Sequence, residues 1–278
     1  MAPTRRAIMQ GALGVVTTTA ARAFDAGSEF DIRAAYRKLR YRLGGGVVFW
    51  WMDGVKYAQN DAEITPLFGM DIGAWFQIAD VPEGGYTVTS YELVFYRDLA
   101  TGAVIREWKN PYTGEVVPIT NRPIGPTLNR YDGEGRFVLP TTLGGAAVTA
   151  DNRISLMKAA GNDIWVSDDY TASVTPPGGG APFVVNDWGA YHGRLDQVSD
   201  VNVADADATC TLQEVTGWQR WMKMGDRPGT LTSRAIGRKV ADFGQMPQRY
   251  RDAVAAAYPD IARDPLAAFT RPPETFAR

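Results

Sequence analysis

The chain has 278 residues, a formal net charge of −2 and 45% hydrophobic side chains, enough for a packed core in one large domain or two small ones. Outside the first residues no Lys/Arg block occurs, which argues against nucleic acid as a partner, because phosphate neutralisation needs clustered cations. Cys210 and His192 are the sole residues of their types, so an intrachain disulfide and a His/Cys-built zinc site are both excluded.

The N-terminus reads as an export leader over residues 1–23. Arg5-Arg6 precedes a weakly apolar run, Ile8 to Ala20, and Ala21-Arg22-Ala23 is a small-x-small cleavage site. The adjacent arginines point to the twin-arginine route, which carries folded proteins, and hence to a periplasmic location. A disordered basic tail or an amphipathic helix is the alternative. The run is too short and too rich in Thr and Gly to span a bilayer, so the mature chain is expected to start near Phe24 and to have no membrane span. Residues 24–278 are expected to form a single barrel-like domain with a helical C-terminal tail at 247–270.

Asp31 to Arg42 has helical spacing at Ile32, Ala35, Tyr36 and Leu39, with Asp31 as a capping residue. Gly44-Gly45-Gly46 ends it; with no Lys-Ser/Thr and no preceding strand, it is a linker and not a phosphate loop. From Val47 to Lys239 the pattern is β. Val47–Met52 is followed by Asp53-Gly54, a hairpin signal, and Val55–Gln59 returns. Leu67–Ile78 is interrupted by Gly69 and Gly73. Further strand-like runs are Tyr86–Arg97, Ala103–Lys109, Glu115–Ile119, Phe137–Leu139, Ile154–Lys158, Ile164–Val174, Phe183–Leu195, Cys210–Val215 and Trp218–Met224. Many short strands with Gly, Pro and Asn-Asp punctuation predict an all-β fold with minor α. It is an antiparallel lipocalin-like barrel or a sandwich, flanked by an N-terminal helix and a C-terminal helix, Pro247 to Tyr258.

Tyr86 to Asn110 can be read in register. With Asp98–Gly102 as the loop, Arg97 faces Ala103. One face then carries Ser90, Glu92, Val94, Tyr96, Val104, Arg106, Trp108 and Asn110. Glu92 and Arg106 become diagonal neighbours. Either this face is the solvent side, or it lines a barrel interior where carboxylate, guanidinium, amide and indole converge on a ligand.

Other chemistry-bearing residues are few. His192, on a strand with Asn186, Trp188 and Ala190, is a ready proton carrier or a structural histidine. Asp168 and Tyr170 share a face. Adjacent carboxylates on a strand point to opposite sides, so Asp168-Asp169 is not a glycosidase pair. A nucleophile elbow, Gly-x-Ser-x-Gly, is absent from the sequence, as is a calcium-loop pattern. The eight tryptophans serve as core residues or as stacking surfaces for a ring.

Two stretches, Trp108-Lys109-Asn110-Pro111-Tyr112-Thr113-Gly114-Glu115 and Trp218-Gln219-Arg220-Trp221-Met222-Lys223-Met224-Gly225-Asp226-Arg227-Pro228-Gly229, followed by Ala235, Gly237, Lys239 and a helix near Tyr250, resemble a bacterial family called domain of unknown function 1838. The similarity extends over nearly all of the chain after the leader. Members often carry twin-arginine signals. The setting of some relatives in the breakdown of plant-derived aromatic compounds implies a small aromatic ligand.

The expectation is an exported, cofactor-independent lyase or isomerase acting on a small aromatic compound by acid–base chemistry, with no metal. His192 or Tyr170 would move the proton, Arg106 would stabilise negative charge and Glu92 would orient Arg106. Trp108, Asn110, Trp188, Trp218 and Tyr191 would hold the substrate. A periplasmic carrier for a small apolar ligand and a hydrolase working through carboxylate-activated water are the alternatives. Assembly as a homo-oligomer is left open.

Overall fold

The computed structural model describes residues 30–119, 123–139, 141–143, 145–178 and 181–272. The expected leader, 1–23, lies outside them. In chain order the helices are α1 (Ile32–Arg40), α2 (Leu195–Ser199), α3 (Gln248–Ala257) and α4 (Pro259–Arg263). The strands are β1 (Val47–Asn60), β2 (Glu63–Asp80), β3 (Tyr86–Arg97), β4 (Glu107–Lys109), β5 (Val116–Pro118), β6 (Ile124–Tyr131) and β7 (Thr141–Leu143), then β8 (Ala146–Ala160), β9 (Asp163–Thr175), β10 (Phe183–Arg194), β11 (Ala208–Thr216) and β12 (Thr230–Val240).

Ten strands form one antiparallel sheet in the order β6-β3-β2-β1-β12-β11-β10-β9-β8-β7, and β4 pairs with β5 in a separate ribbon. The sheet is two meanders, joined where the first long strand pairs with the last, as in Trp50 opposite Lys239. It is curled into a barrel-like form. The chain after β6 reaches the far edge: Asn152 of β8 donates to Gly135 O and accepts from Phe137 N, both at 2.9 Å. Phe137 also bridges Tyr131 of β6 and Tyr170 of β9, with ring centroids 5.0 and 6.1 Å away. Among the described residues no second large sheet stacks on this one, so a sandwich is not formed.

Directly opposed residues share a face, so the register defines the lining. Trp50, Met52 and Lys56 of β1 point the same way as Phe68, Ile72 and Ala74 of β2, Glu92 and Tyr96 of β3, and Ser233 of β12. Glu214 of β11, Asp187 and Tyr191 of β10, and Asp168 and Tyr170 of β9 continue that row. Because Phe137 joins Tyr131 to Tyr170 across it, this is the inner face. The outer face of β1–β3 is covered by the C-terminal tail: Phe49, Trp75, Tyr91, Leu93 and Phe95 pack with Tyr250, Val254 and Ile261. Strands buried on both faces need continuous apolar runs, as β1 and β2 show. β8 and β11 lack that cover and alternate.

Four sequence expectations are corrected. Asp53-Gly54 makes no hairpin: β1 runs through it for 14 residues. Gly54 instead permits close strand contact, since a Cβ there would lie 2.5 Å from Arg234 O. β2 likewise runs unbroken for 18 residues. Gly73 within it leaves the space taken by the Tyr250 ring, whose hydroxyl would be 2.1 Å from a Cβ. The hairpin from Tyr86 to Asn110 ends after one bridge, Arg97 opposite Val104, because β6 takes the free edge of β3. Finally, Trp218–Met224 is not a strand; it contains a short 3₁₀ turn, Arg220–Met222.

Candidate functional site

The inner face is closed off at two levels. At one, α1 lies against it. Asp31 caps the helix by accepting from Arg33 N at 2.9 Å, and the buried stripe Ala35, Tyr36 and Leu39 turns inward. Arg40 and Tyr36 both bond the buried carboxylate of Asp168. The Arg40 guanidinium also lies within cation–π range of Tyr41, Phe76 and Tyr191. Arg40 and Asp168 balance one another's charge. At the other level Phe68, Tyr96, Trp108 and Trp221 pack edge-on and tilted, with centroids 4.8 to 6.1 Å apart.

Between these levels the lining turns polar. Lys56 is only 4% exposed. Its ammonium is 3.1 Å from Glu214 Oε1, to which Ser233 also donates at 2.9 Å. Burial opposes the charge of Lys56, but Tyr96 and Glu214 outweigh it and raise its hold on the proton. Asp187 stands directly opposite Glu214 in the β10–β11 register. Its Oδ1 is buried and accepts no hydrogen bond from the described residues. Glu92 enters from β3. Glu92, Asp187, Glu214 and Tyr170 all point inward yet stay half-buried, so the interior is hollow at this level.

The carboxylates sense one another. Burial, with Glu214 nearby, pushes Glu92 up to about 7, against the pull of Lys56 and Arg40. Burial, then Glu214 and Glu92, push Asp187 up to about 8. Burial and the charge of Asp187 push Tyr170 up to about 12, so its phenol remains a donor. The site thus holds exchangeable protons near neutrality beside a fixed cation, the requirement for acid–base work. Among the described residues no group of three His, Cys, Asp or Glu is arranged to hold a metal ion.

Of the residues singled out in the sequence, Glu92, Tyr170 and Tyr191 are on the inner face. Tyr191 packs on Trp50 and Tyr36, at the level where Arg40 and Tyr36 bond Asp168. Arg106 is exposed and never meets Glu92; Lys56 supplies the positive charge instead. Trp108 is a buried member of the aromatic plug. Asn110, fully buried, donates to Met222 O at 2.9 Å and accepts from Tyr112 N at 2.8 Å. It locks the turn after β4 onto the 3₁₀ turn, while Trp218 packs on Tyr112. The two stretches that carry the family resemblance are therefore one packed unit. His192 is on the outer face, stacked on Trp165 at 4.6 Å and 2.9 Å from Asp163. Trp188, 47% exposed, lines an open outer groove of about 600 Å³ with Asp53, Asp169, Arg234 and Ile236; none of the inner carboxylates reaches it.

Sequence reasoning missed Lys56, Asp187, Glu214 and Ser233. A usable signal existed: each is a polar residue in mid-strand, in phase with inward-facing neighbours such as Tyr191 for Asp187.

A curled antiparallel sheet with a mixed polar and aromatic hollow is the architecture of small barrel-like β proteins that enclose a ligand. The chain belongs to the family described as Protein of unknown function (DUF1838), whose model matches residues 45–276. The match takes in every strand and the C-terminal tail, and starts after α1. No curated protein matches the chain. Among the described residues no helix is long and apolar enough to cross a membrane.

Proposed function

We propose that this protein is an exported, cofactor-independent lyase or isomerase that holds a small aromatic compound in the hollow and moves a proton on it. The observation carrying this reading is Glu92: an inward-facing carboxyl whose hold on a proton lies near neutrality, the range in which one group both takes and returns a proton. Tyr170 donates a hydrogen bond to oxygen as negative charge develops there. Lys56, held by Glu214, which Ser233 in turn anchors, adds a positive field that needs no reorganisation. Tyr170, opposite Asp187, and Phe137, packed on Tyr170, are half-buried beside the same hollow and suit an aromatic ring. A charged lining favours catalysis over carriage of an apolar ligand. The direct pairing of Asp187 with Glu214 favours a carboxylate-activated hydrolase as the second reading.

The test is incubation with a panel of small aromatic compounds, lignin-derived phenolics and arylalkyl amines among them, read by chromatography with mass spectrometry. Glu92→Gln is expected to lose roughly a hundredfold or more of turnover, and His192→Ala to keep it. Full turnover by Glu92→Gln would remove the proposal. A product gaining the mass of water with bond cleavage would select the hydrolase.

A further inference from the structure

Resting on the interior as the binding site, we infer that its ligand is a small aromatic cation, an arylalkyl ammonium, and that aromatic carboxylates are turned away. The argument is a charge count in a confined space. Glu92, Asp187 and Glu214 share the hollow, and Lys56 is the cation placed among them, bound to Glu214. Arg40 is taken up by Asp168 and its aromatic surround. Among the described residues the other two carboxylates, Glu92 and Asp187, form no ion pair, although Lys56 and Arg40 attract Glu92 from further off. Asp187 Oδ1 is buried with no hydrogen-bond donor among those residues, a costly state in a folded protein unless something else supplies one. An ammonium supplies both the missing donor and the missing charge.

The walls agree. Tyr170, opposite Asp187 in the β9–β10 register, and Phe137, 6.1 Å from it between ring centroids, border the same space, and rings attract an organic cation as well as a neutral arene. An aromatic acid would add a third unpaired negative charge to the hollow, where screening by water is weak. Without ligand, the two carboxylates ease their repulsion by holding protons. The bound ammonium takes the place of a proton, so binding releases one. The charged and titratable groups facing this pair are Glu214, Lys56, Arg40, Asp168 and Tyr170. With Asp187 engaged by the ammonium, Glu92 is free to act as the base of the proposed reaction.

Three probes of matched shape decide it: phenethylamine, phenethyl alcohol and phenylacetate. Binding is measured by titration calorimetry near pH 7 in two buffers of different ionisation heat. Phenethylamine is expected to bind at least about tenfold tighter than the alcohol, with proton release, and phenylacetate weakest. Asp187→Asn should abolish the preference for amine over alcohol while the alcohol still binds. Glu92→Gln should reduce that preference, and serves if Asp187→Asn fails to fold. Equal or tighter binding of the alcohol, or tightest binding of phenylacetate, overturns the cation assignment and leaves the enzymatic reading standing. Binding by none of the three also overturns it; the enzymatic reading then falls separately, by full turnover in Glu92→Gln.

Discussion

At the residue scale the molecule is defined by where it keeps charge inside. Asp168 with Arg40 and Glu214 with Lys56 are paired, whereas Asp187 stands between Glu214 and Tyr170 and, among the described residues, has no ion pair of its own. Its hold on a proton, raised to about 8 by burial and its acidic neighbours, has a consequence for stability. A carboxyl whose folded pKa exceeds its unfolded one makes the native state bind more protons than the unfolded chain. Its contribution to stability is complete below the ordinary carboxyl range and is lost as pH rises through the folded value. Glu92 acts in the same direction up to about 7. The melting temperature is therefore expected to fall as pH rises from about 5 to about 9. Asp187→Asn, which removes one of these charges, should flatten the slope and raise Tm at high pH by roughly 2–4 °C. A pH-melting series on both proteins checks this, and an unchanged slope would contradict it.

At the element scale the weak point is the seam of the curled sheet. The ten strands are joined by continuous ladders, but the two edges meet through side chains, with Asn152 contributing two bonds to the loop after β6. Such bonds are worth about 1 kcal/mol each, more if a buried partner is stranded. Asn152→Ala is expected to cost about 2 kcal/mol and to speed amide exchange at Phe137, while the β1–β12 ladder keeps its protection. Hydrogen exchange read by mass spectrometry distinguishes this local opening from global loss. The turn held by Asn110 shows the same economy, since one buried amide joins two segments 112 residues apart. It explains why residues that looked like ligand-binding candidates do structural work.

For the whole molecule, the proposed reading joins a folded barrel to an export leader. The proposal of a leader rests on the Arg5-Arg6 pair and the short apolar run behind it. On the twin-arginine route the pair is what the export machinery recognises. The chain, expressed in a bacterium with that machinery, is expected in the periplasmic fraction. Replacing both arginines by lysine should hold it in the cytoplasm, as immunoblots of cell fractions would show; equal export of both forms would rule the route out.

What the sequence determined by itself is what neighbouring residues decide among themselves. Asp31 and the spacing of Ile32, Ala35, Tyr36 and Leu39 were enough for α1. Alternation placed Glu92, Val94 and Tyr96 on one face, and strand content with turn residues was enough for an antiparallel β protein with a helical tail. The tertiary structure alone decided which strands pair. Tyr86–Arg97 had a nearby partner in sequence but took β2 and β6, because pairing is a competition among all free edges. Glycines at 54 and 73 read as breaks because their local signal is the same whether the chain turns or another backbone or ring presses close. The site was hidden for the same reason: Lys56, Asp187, Glu214 and Ser233 lie up to 177 residues apart in the sequence. Only the closure of β1 on β12, and the curl that follows from it, brings these polar groups into one low-dielectric space.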